Sequence, residues 1–224
     1  MPYKKINIFT GHFGSGKTEV SVNFALNMKN SGYKTAIVDL DIVNPYFRTA
    51  DVKDELEKQG IHVIVPPFAN TNVDVPALPA EINSLFEDNS VWSVFDVGGD
   101  DIGAKALGRY RQEIINEGYD MYVVVNTNRP FTDTKEKISS LIYELENASR
   151  LKVTKLVNNT NLLQDTTAED LEKGYKILNK VSEFTGLPIG FTAFVSEAIE
   201  GTEYINESFG KILLLDKKIK LPWE

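Results

Sequence analysis

The sequence predicts an α/β protein built on a mostly parallel sheet of about seven strands flanked by helices, as in a Rossmann-like three-layer fold. Short runs rich in β-branched and aromatic residues alternate with longer stretches of helical periodicity, a pattern typical of strands joined by crossover helices. A glycine-rich loop separates the first predicted strand from the first predicted helix. Two further predicted strands end in aspartates, which indicates a polar site at the carboxyl edge of the sheet.

The elements are predicted from apolar periodicity and from helix-ending glycines. Seven strands are expected over residues 5–10, 34–39, 61–65, 91–96, 121–126, 152–157 and 189–194. Six helices are expected over residues 18–30, 52–59, 79–88, 104–116, 132–148 and 168–184. Residues 211–220, which combine Ile-Leu-Leu-Leu with four lysines, are predicted to be a last core element with its lysines in solvent.

Composition limits the functions that the chain can have. Its 224 residues are 42% hydrophobic and 25% charged and contain no repeat or low-complexity linker, which predicts one domain over residues 1–224. A net charge of -8 disfavours nucleic acid as a partner. The longest apolar runs, MYVVV and ILLL, are too short for membrane insertion, and the first residues lack a signal-peptide core, so a cytoplasmic location is expected. The absence of cysteine excludes an iron–sulfur cluster held by thiolates of this chain alone.

Residues 66–79, PPFANTNVDVPALP, interrupt the alternation of strands and helices. Their four prolines prevent regular strand pairing. Two interpretations stay open, an ordered loop or flap that binds a partner or substrate, and a structural crossover that touches no ligand.

The glycine-rich loop matches the phosphate-binding pattern G-x-x-x-x-G-K-[ST], and it follows a strand and precedes a helix as that pattern requires. Its glycines allow backbone N–H groups to point at phosphate oxygens, the lysine reaches the β- and γ-phosphates, and the threonine hydroxyl binds Mg²⁺. A dinucleotide-binding G-x-G-x-x-G pattern fails because Glu19 stands at its third glycine. The predicted nucleotide-binding residues are Gly11, His12, Phe13, Gly14, Ser15, Gly16, Lys17, Thr18 and Glu19.

Aspartates follow the second and fourth predicted strands. Asp39 and Asp41 close IVDLD, and Asp96 closes VWSVFD ahead of Gly98 and Gly99. An acid after an apolar strand is typical of the second motif of P-loop proteins, where it holds Mg²⁺ directly or through water, and Asp96 fits it best. The two glycines would let the following segment move when a γ-phosphate arrives. Strand-end aspartates also occur as solvated caps, and for Asp39 that alternative stays open.

With these motifs in order, the chain resembles the CobQ/CobB/MinD/ParA family of P-loop proteins, which includes MinD, ParA and the nitrogenase iron protein. The P-loop, the D-x-D of IVDLD and the segment FDVGGDD carry the resemblance. It implies that Asp41 orients the attacking water and that Asp39 is an outer-sphere Mg²⁺ ligand beside Thr18 and Asp96. It also implies that Asp100 is a second switch acid and that Asn158 hydrogen-bonds adenine.

The chain departs from this family at two positions. His12 stands where most members carry a lysine that crosses an ATP-dependent homodimer, so that dimer is put in doubt; His12 either donates to a phosphate when protonated or packs against the loop. Gly103 stands where the iron protein has a cluster-ligating cysteine, so no iron–sulfur cluster is expected. The cationic candidates for charge stabilisation are left unranked: Arg48, Arg109, Arg111 and Arg129.

These residues predict a Mg-ATP-binding protein, a slow ATPase that switches its affinity for a protein partner which the sequence does not identify. Lys17 and Asp41 are the expected catalytic residues, ATP and Mg²⁺ the expected cofactors. Two alternatives remain at this point. One is a P-loop kinase or ATP-dependent ligase in which a small molecule replaces water, and the other is an ATP-binding protein without turnover.

Overall fold

Eight strands form one sheet in the computed structural model, which describes residues 3–41, 48–66, 79–195 and 209–219. Their order across the sheet is β3-β2-β4-β1-β5-β6-β7-β8, and every described strand pair is parallel. The strands are β1 Ile6–Thr10, β2 Lys34–Leu40, β3 His62–Ile64, β4 Val91–Val97, β5 Tyr119–Val125, β6 Lys155–Asn158, β7 Ile189–Val195 and β8 Ile212–Leu215.

Seven α-helices lie in the described ranges and connect strands that follow one another in the chain; α2, α6 and α7 join strands that are also neighbours in the sheet. They are α1 Lys17–Asn30, α2 Lys53–Lys58, α3 Glu81–Glu87, α4 Asp101–Gly108, α5 Arg111–Glu117, α6 Lys135–Ser149 and α7 Ala168–Thr185. A short 3-10 turn, Thr49–Val52, precedes α2. None of the helices in these ranges has both the length and the apolar character needed to cross a bilayer.

The predicted α/β fold is confirmed, with two differences from the expected elements. Residues 104–116 form two helices rather than one, because the chain turns at Arg109 and Tyr110 and the Tyr110 ring packs on Phe86 in the core. The apolar part of residues 211–220 is a strand, β8, which extends the sheet beyond β7. Of residues 66–79, only Pro66 and Pro79 lie within the described ranges, so the role of that segment stays a prediction.

The sheet is buried on both faces, which is why its strands read as nearly continuous apolar runs. Successive residues of β1 point to opposite sides: Ile8 joins the apolar cluster beneath α3 to α7, whereas Phe9 joins the cluster beneath α1 and α2. Since all strands run in the same direction, the ends of β1, β2, β4, β5 and β6 lie along one edge of the sheet. The candidate site is built on that edge.

Candidate nucleotide-binding site

The P-loop connects the end of β1 to the first turn of α1. Gly14 and Gly16 have φ values of 77° and 80°, in the left-handed region that favours glycine. A Cβ at Gly11 would collide with the carbonyl oxygen of Val124 on the neighbouring strand. The Ser15 N–H donates to the His12 carbonyl at 3.0 Å and closes the turn. The glycines of the motif are therefore required by this backbone, and the loop curls over the N-terminus of α1 as a phosphate cradle does.

A buried ion pair joins the P-loop to the end of β2. Lys17 Nζ lies 2.6 Å from Asp41 Oδ2, and the two side chains are only 7% and 3% exposed. Burial by itself would lower the pKa of Lys17, but the carboxylates of Asp41, Asp96 and Asp39 outweigh it and raise that pKa above its usual value. Lys17 is thus a fixed positive charge at the centre of the candidate site.

Asp39 and Asp96 are direct neighbours across the β2–β4 pair and are completely buried. Burial raises the pKa of Asp96 to about 7; Lys17 opposes this shift, whereas the charges of Asp39 and Asp41 add to it. Burial also raises the pKa of Asp39, against the opposing effect of Arg48. The carboxyl groups of Asp39, Asp41 and Asp96 thus face only two cationic side chains, those of Lys17 and Arg48. This excess of acidic groups favours the binding of a further cation.

Residues 48–50 donate hydrogen bonds to the two buried acids, Asp39 and Asp96. Arg48 Nε donates to Asp39 Oδ2 at 3.3 Å, and the Ala50 N–H donates to the same oxygen at 3.2 Å. The Thr49 hydroxyl donates to Asp96 Oδ2 at 2.9 Å. Among the four candidate arginines, the structure therefore brings Arg48 to the acids. We call residues 48–50 the latch.

The side chains at this site fit a Mg²⁺ ion whose remaining ligands are phosphate and water. Asp96 Oδ1 is buried without a hydrogen-bond partner among the described residues, and the nearby Thr18 hydroxyl favours the charged form of this carboxyl. No group of three or more His, Asp or Glu side chains in the described ranges has the arrangement of an all-protein metal site. Mg²⁺ commonly takes one or two protein ligands and keeps several waters, so Thr18 and Asp96 suffice as its holders.

The backbone of the predicted switch residues Gly98 and Gly99 packs directly against the P-loop and Asp41. A Cβ at Gly99 would collide with the Gly11 carbonyl, and a Cβ at Gly98 would lie 3.1 Å from Asp41 Oδ1. Asp100 is the N-cap of α4, where its side chain accepts from the N–H groups of Ile102 and Gly103 at 2.9 and 2.8 Å. The switch role of Asp100 stays a prediction.

Backbone packing also restricts which residue can stand at position 103. A Cβ there would lie 2.9 Å from the nitrogen and oxygen of Gly98, so a cysteine side chain does not fit without a shift of the backbone. The backbone of Gly98 therefore favours glycine at position 103, and the expectation that the protein holds no iron–sulfur cluster stays a prediction.

The His12 side chain packs against residues of its own chain. Its ring stacks on Phe131, with ring centroids 4.6 Å apart and an interplanar angle of 19°, and its Nδ1 lies 3.1 Å from the Phe13 carbonyl. This is one of the two alternatives that the sequence left open. Phe13, the next residue of the loop, is 61% exposed.

Two predicted nucleotide-binding residues have protein partners for their side chains. Glu19 accepts from the N–H groups of Lys218 and Ile219 at 2.7 and 3.0 Å, which ties α1 to the segment after β8. Asn158 is completely buried, and its amide nitrogen donates to the Leu171 carbonyl at 3.1 Å. Their contacts with nucleotide and with adenine stay predictions.

Three further residues contribute at this edge: Thr49 and Asn159, which no motif assigned, and Arg129, which was one of the four unranked cationic candidates. Thr49 lies in the latch, Asn159 donates to the Ser15 carbonyl and Arg129 donates to the Gly14 carbonyl. Asn159 directly follows β6, so its position at a carboxyl strand end is a signal that the sequence carried. Thr49 lies outside any recognisable motif, and no pattern in the sequence singles it out.

A family model of ParA, described as NUBPL iron-transfer P-loop NTPase, matches residues 3–92. The matched segment contains the P-loop together with Asp39 and Asp41. The resemblance to ParA-type P-loop proteins is confirmed over this segment, which ends before FDVGGDD. A search of curated proteins gave no significant sequence match.

Similar solved structures show the P-loop NTPase fold. FtsY from Thermotoga maritima superposes with a TM-score of 0.56 at 18% identity, over 88% of this chain and 63% of that one. FtsY from Elizabethkingia anophelis in complex with GDP gives a TM-score of 0.52 at 18% identity, over 94% and 65%. The 54 kDa signal recognition particle protein from Aeropyrum pernix K1, also in complex with GDP, gives 0.54 at 16% identity, over 93% and 46%. This chain thus spans less than two thirds of the length of these proteins, and at such identities the likeness concerns the fold alone.

Proposed function

We propose that this protein binds Mg-ATP at the P-loop, hydrolyses it slowly and uses the nucleotide state to change its affinity for a protein partner. ATP is chosen over GTP on the resemblance to ParA-type proteins. The observation that carries the proposal is the buried Lys17–Asp41 ion pair, because it links the phosphate-binding lysine to the strand end that leads into the latch.

A phosphate oxygen that binds Lys17 Nζ competes with Asp41 for the same charge. The Asp41 N–H donates to Asp39 Oδ1 at 3.1 Å, and Asp39 Oδ2 accepts from Arg48 and Ala50. A movement of Asp41 is therefore transmitted through Asp39 to the latch over hydrogen bonds. Such a chain of contacts is what a switch requires, since the triphosphate must change the position of a segment that a partner can read.

The same residues support hydrolysis. Water attacks the γ-phosphorus in line as the bond to the bridging oxygen of ADP breaks, and the water protons leave to the Asp41 carboxylate and to the phosphate product. Lys17 and the P-loop N–H groups stabilise the negative charge that develops on the phosphoryl oxygens. Mg²⁺ held by Thr18 and Asp96 would supply charge neutralisation on the β- and γ-phosphates.

Binding is tested by titrating fluorescent ATP and GTP analogues into the wild type and into Lys17→Ala. We expect ATP to bind more tightly than GTP and Lys17→Ala to lose at least about 100-fold in affinity, as a buried charge contact with phosphate implies. Lys105→Ala is the matched control, because Lys105 forms a solvent-exposed pair with Asp101 at 2.9 Å. Equal binding by wild type and Lys17→Ala would contradict the proposal.

Turnover is tested by phosphate release from ATP and protein alone. We expect a slow release in the wild type, and in Asp41→Ala a release that is at least about tenfold slower at unchanged or tighter ATP binding. Release that requires a pool of small metabolites would favour the kinase or ligase alternative, and bound ATP without release would favour the non-hydrolysing one.

A further inference from the structure

Two side chains from neighbouring strand ends hold carbonyl groups of the P-loop. Arg129, in the segment after β5, donates from Nε to the Gly14 carbonyl at 3.1 Å. Asn159, directly after β6, donates from Nδ2 to the Ser15 carbonyl at 2.7 Å. These are consecutive peptide units in the middle of the loop.

The direction of a carbonyl fixes the direction of the N–H in the same peptide unit. The unit is planar and trans, so its C=O and N–H point opposite ways. Drawing the Ser15 carbonyl outward to Asn159 turns the Gly16 N–H toward the inside of the loop. Drawing the Gly14 carbonyl to Arg129 directs the Ser15 N–H the opposite way, to the His12 carbonyl, which accepts it at 3.0 Å and closes the turn. Inward N–H groups are what make such a loop bind phosphate.

Two glycines of the loop leave the space that these two side chains occupy. A Cβ at Gly16 would collide with Asn159 Nδ2, and a Cβ at Gly14 would lie 3.3 Å from Arg129 Nε. Glycine is therefore needed at both positions for the approach of a bonding side chain, in addition to the left-handed φ.

Both contacts connect to one hydrogen-bond network centred on the buried Asn126, although the Arg129 contact itself is exposed to solvent. Its Oδ1 accepts from the N–H groups of Asn128 and Asn161 at 3.0 and 3.3 Å, and its Nδ2 donates to the Asn161 carbonyl at 3.1 Å. Asn161 Nδ2 in turn donates to the Asn159 carbonyl at 2.7 Å, and the Arg129 N–H donates to the Asn126 carbonyl at 3.1 Å. Asn126 is completely buried, so it fixes the segments that carry both side chains.

We propose that Arg129 and Asn159 are positioning residues that hold the P-loop in its phosphate-binding conformation, with Asn126 joining them. The inference rests on the proposed nucleotide binding. It concerns residues that act through the loop backbone, so it assigns them no contact with the reacting atoms.

Nucleotide affinity gives the first test. We expect Asn159→Asp, which keeps the shape but replaces the donor by an acceptor, and Arg129→Ala each to weaken ADP and ATP by similar factors, about 3- to 10-fold for one hydrogen bond. Arg129→Lys, which retains a donor, should recover part of the loss. Arg111→Ala is the matched control, since Arg111 Nε donates to the Arg150 carbonyl at 2.9 Å away from the loop. Wild-type affinity in both Asn159→Asp and Arg129→Ala would overturn the inference.

Amide hydrogen exchange without nucleotide gives the second test and separates the two proposals. We expect Asn159→Asp and Arg129→Ala to speed exchange at Ser15, Gly16 and Lys17 while the amides of β1 and β5 keep wild-type protection. Faster exchange throughout the sheet would mean a merely structural role and would overturn the inference, as would unchanged exchange in the loop. If the wild type bound no nucleotide, the proposed function would fail, whereas this exchange experiment would still decide whether the two side chains order the loop.

Discussion

Thr49 donates its hydroxyl hydrogen to Asp96 at 2.9 Å, although 46 residues separate them in the chain. The contact joins the segment that follows β2 to the acid that closes β4, and both side chains are completely buried. Because Asp96 Oδ1 has no hydrogen-bond partner within the described ranges, Thr49 provides one of the few groups that stabilise the charge of this carboxylate. The latch is therefore coupled to the charge state of the candidate Mg²⁺ ligand.

Replacing Thr49 by valine tests this coupling. Valine keeps the shape but removes the donor, so we expect Thr49→Val to lower the free energy of unfolding by about 1–3 kcal/mol at pH 8 with EDTA present, since a buried charged acceptor loses its partner. Urea denaturation measures this. Thr49→Ser, which retains the hydroxyl, should lose less; equal stability of the valine variant and the wild type would show that the contact contributes nothing.

A pH dependence of stability follows from Asp96. Its pKa is about 7 in the folded protein against a usual 3.8, so between these values the folded state keeps a proton that the unfolded state releases. The free energy of unfolding should therefore fall as pH rises from 4 to 7, by up to about 1.4 kcal/mol per pH unit for this group. Burial raises the pKa of Asp39 and Glu19 as well, which adds the same sign.

The measurement is urea denaturation in EDTA across that range for wild type and Asp96→Asn. The asparagine variant should show a shallower fall with pH. Asp88→Asn is the control, because the pKa of this exposed carboxyl is shifted in the opposite direction. Hydrogen bonds from Ser90 and Lys34 lower it. A pH profile of Asp96→Asn that is parallel to the wild-type profile would contradict the assignment.

Adding one methyl group at Gly103 should disturb the switch segment. Alanine in a helix normally stabilises, but its Cβ here would lie 2.9 Å from the backbone of Gly98, so we expect Gly103→Ala to destabilise by about 1–3 kcal/mol and to weaken nucleotide binding. Thermal denaturation and nucleotide titration measure the two effects. Lys105→Ala, on the exposed side of α4, should alter neither. A more stable Gly103→Ala variant would show that the backbone of Gly98 yields freely.

The stacking of His12 on Phe131 predicts the oligomeric response. A ring held at 4.6 Å from another ring on its own chain is not extended toward a second copy, so we expect the mass in solution to stay the same when Mg-ATP is added. Light scattering with a non-hydrolysable analogue measures it. A nucleotide-dependent dimer would contradict this expectation, and the comparison with Phe131→Ala would then show whether release of His12 promotes association.

The sequence by itself determined the α/β class, the P-loop and the acids at the ends of β2 and β4. Each of these depends on local information: apolar periodicity, a contiguous motif, and a strand followed by aspartate. The boundaries that it missed, such as the break at Arg109 and Tyr110 and the strand character of β8, depend on which neighbours a segment packs against, and a single sequence does not contain those neighbours.

The tertiary structure alone decided how the site is held together. That Lys17 pairs with Asp41, that Thr49 reaches Asp96, and that Arg129 and Asn159 hold P-loop carbonyls follow from the strand order, which brings the ends of β1, β2, β4, β5 and β6 to one edge. Hydrogen bonds between residues far apart in the chain leave no periodic signal in the sequence. Their partners are fixed only when burial of both sheet faces sets the register of the strands.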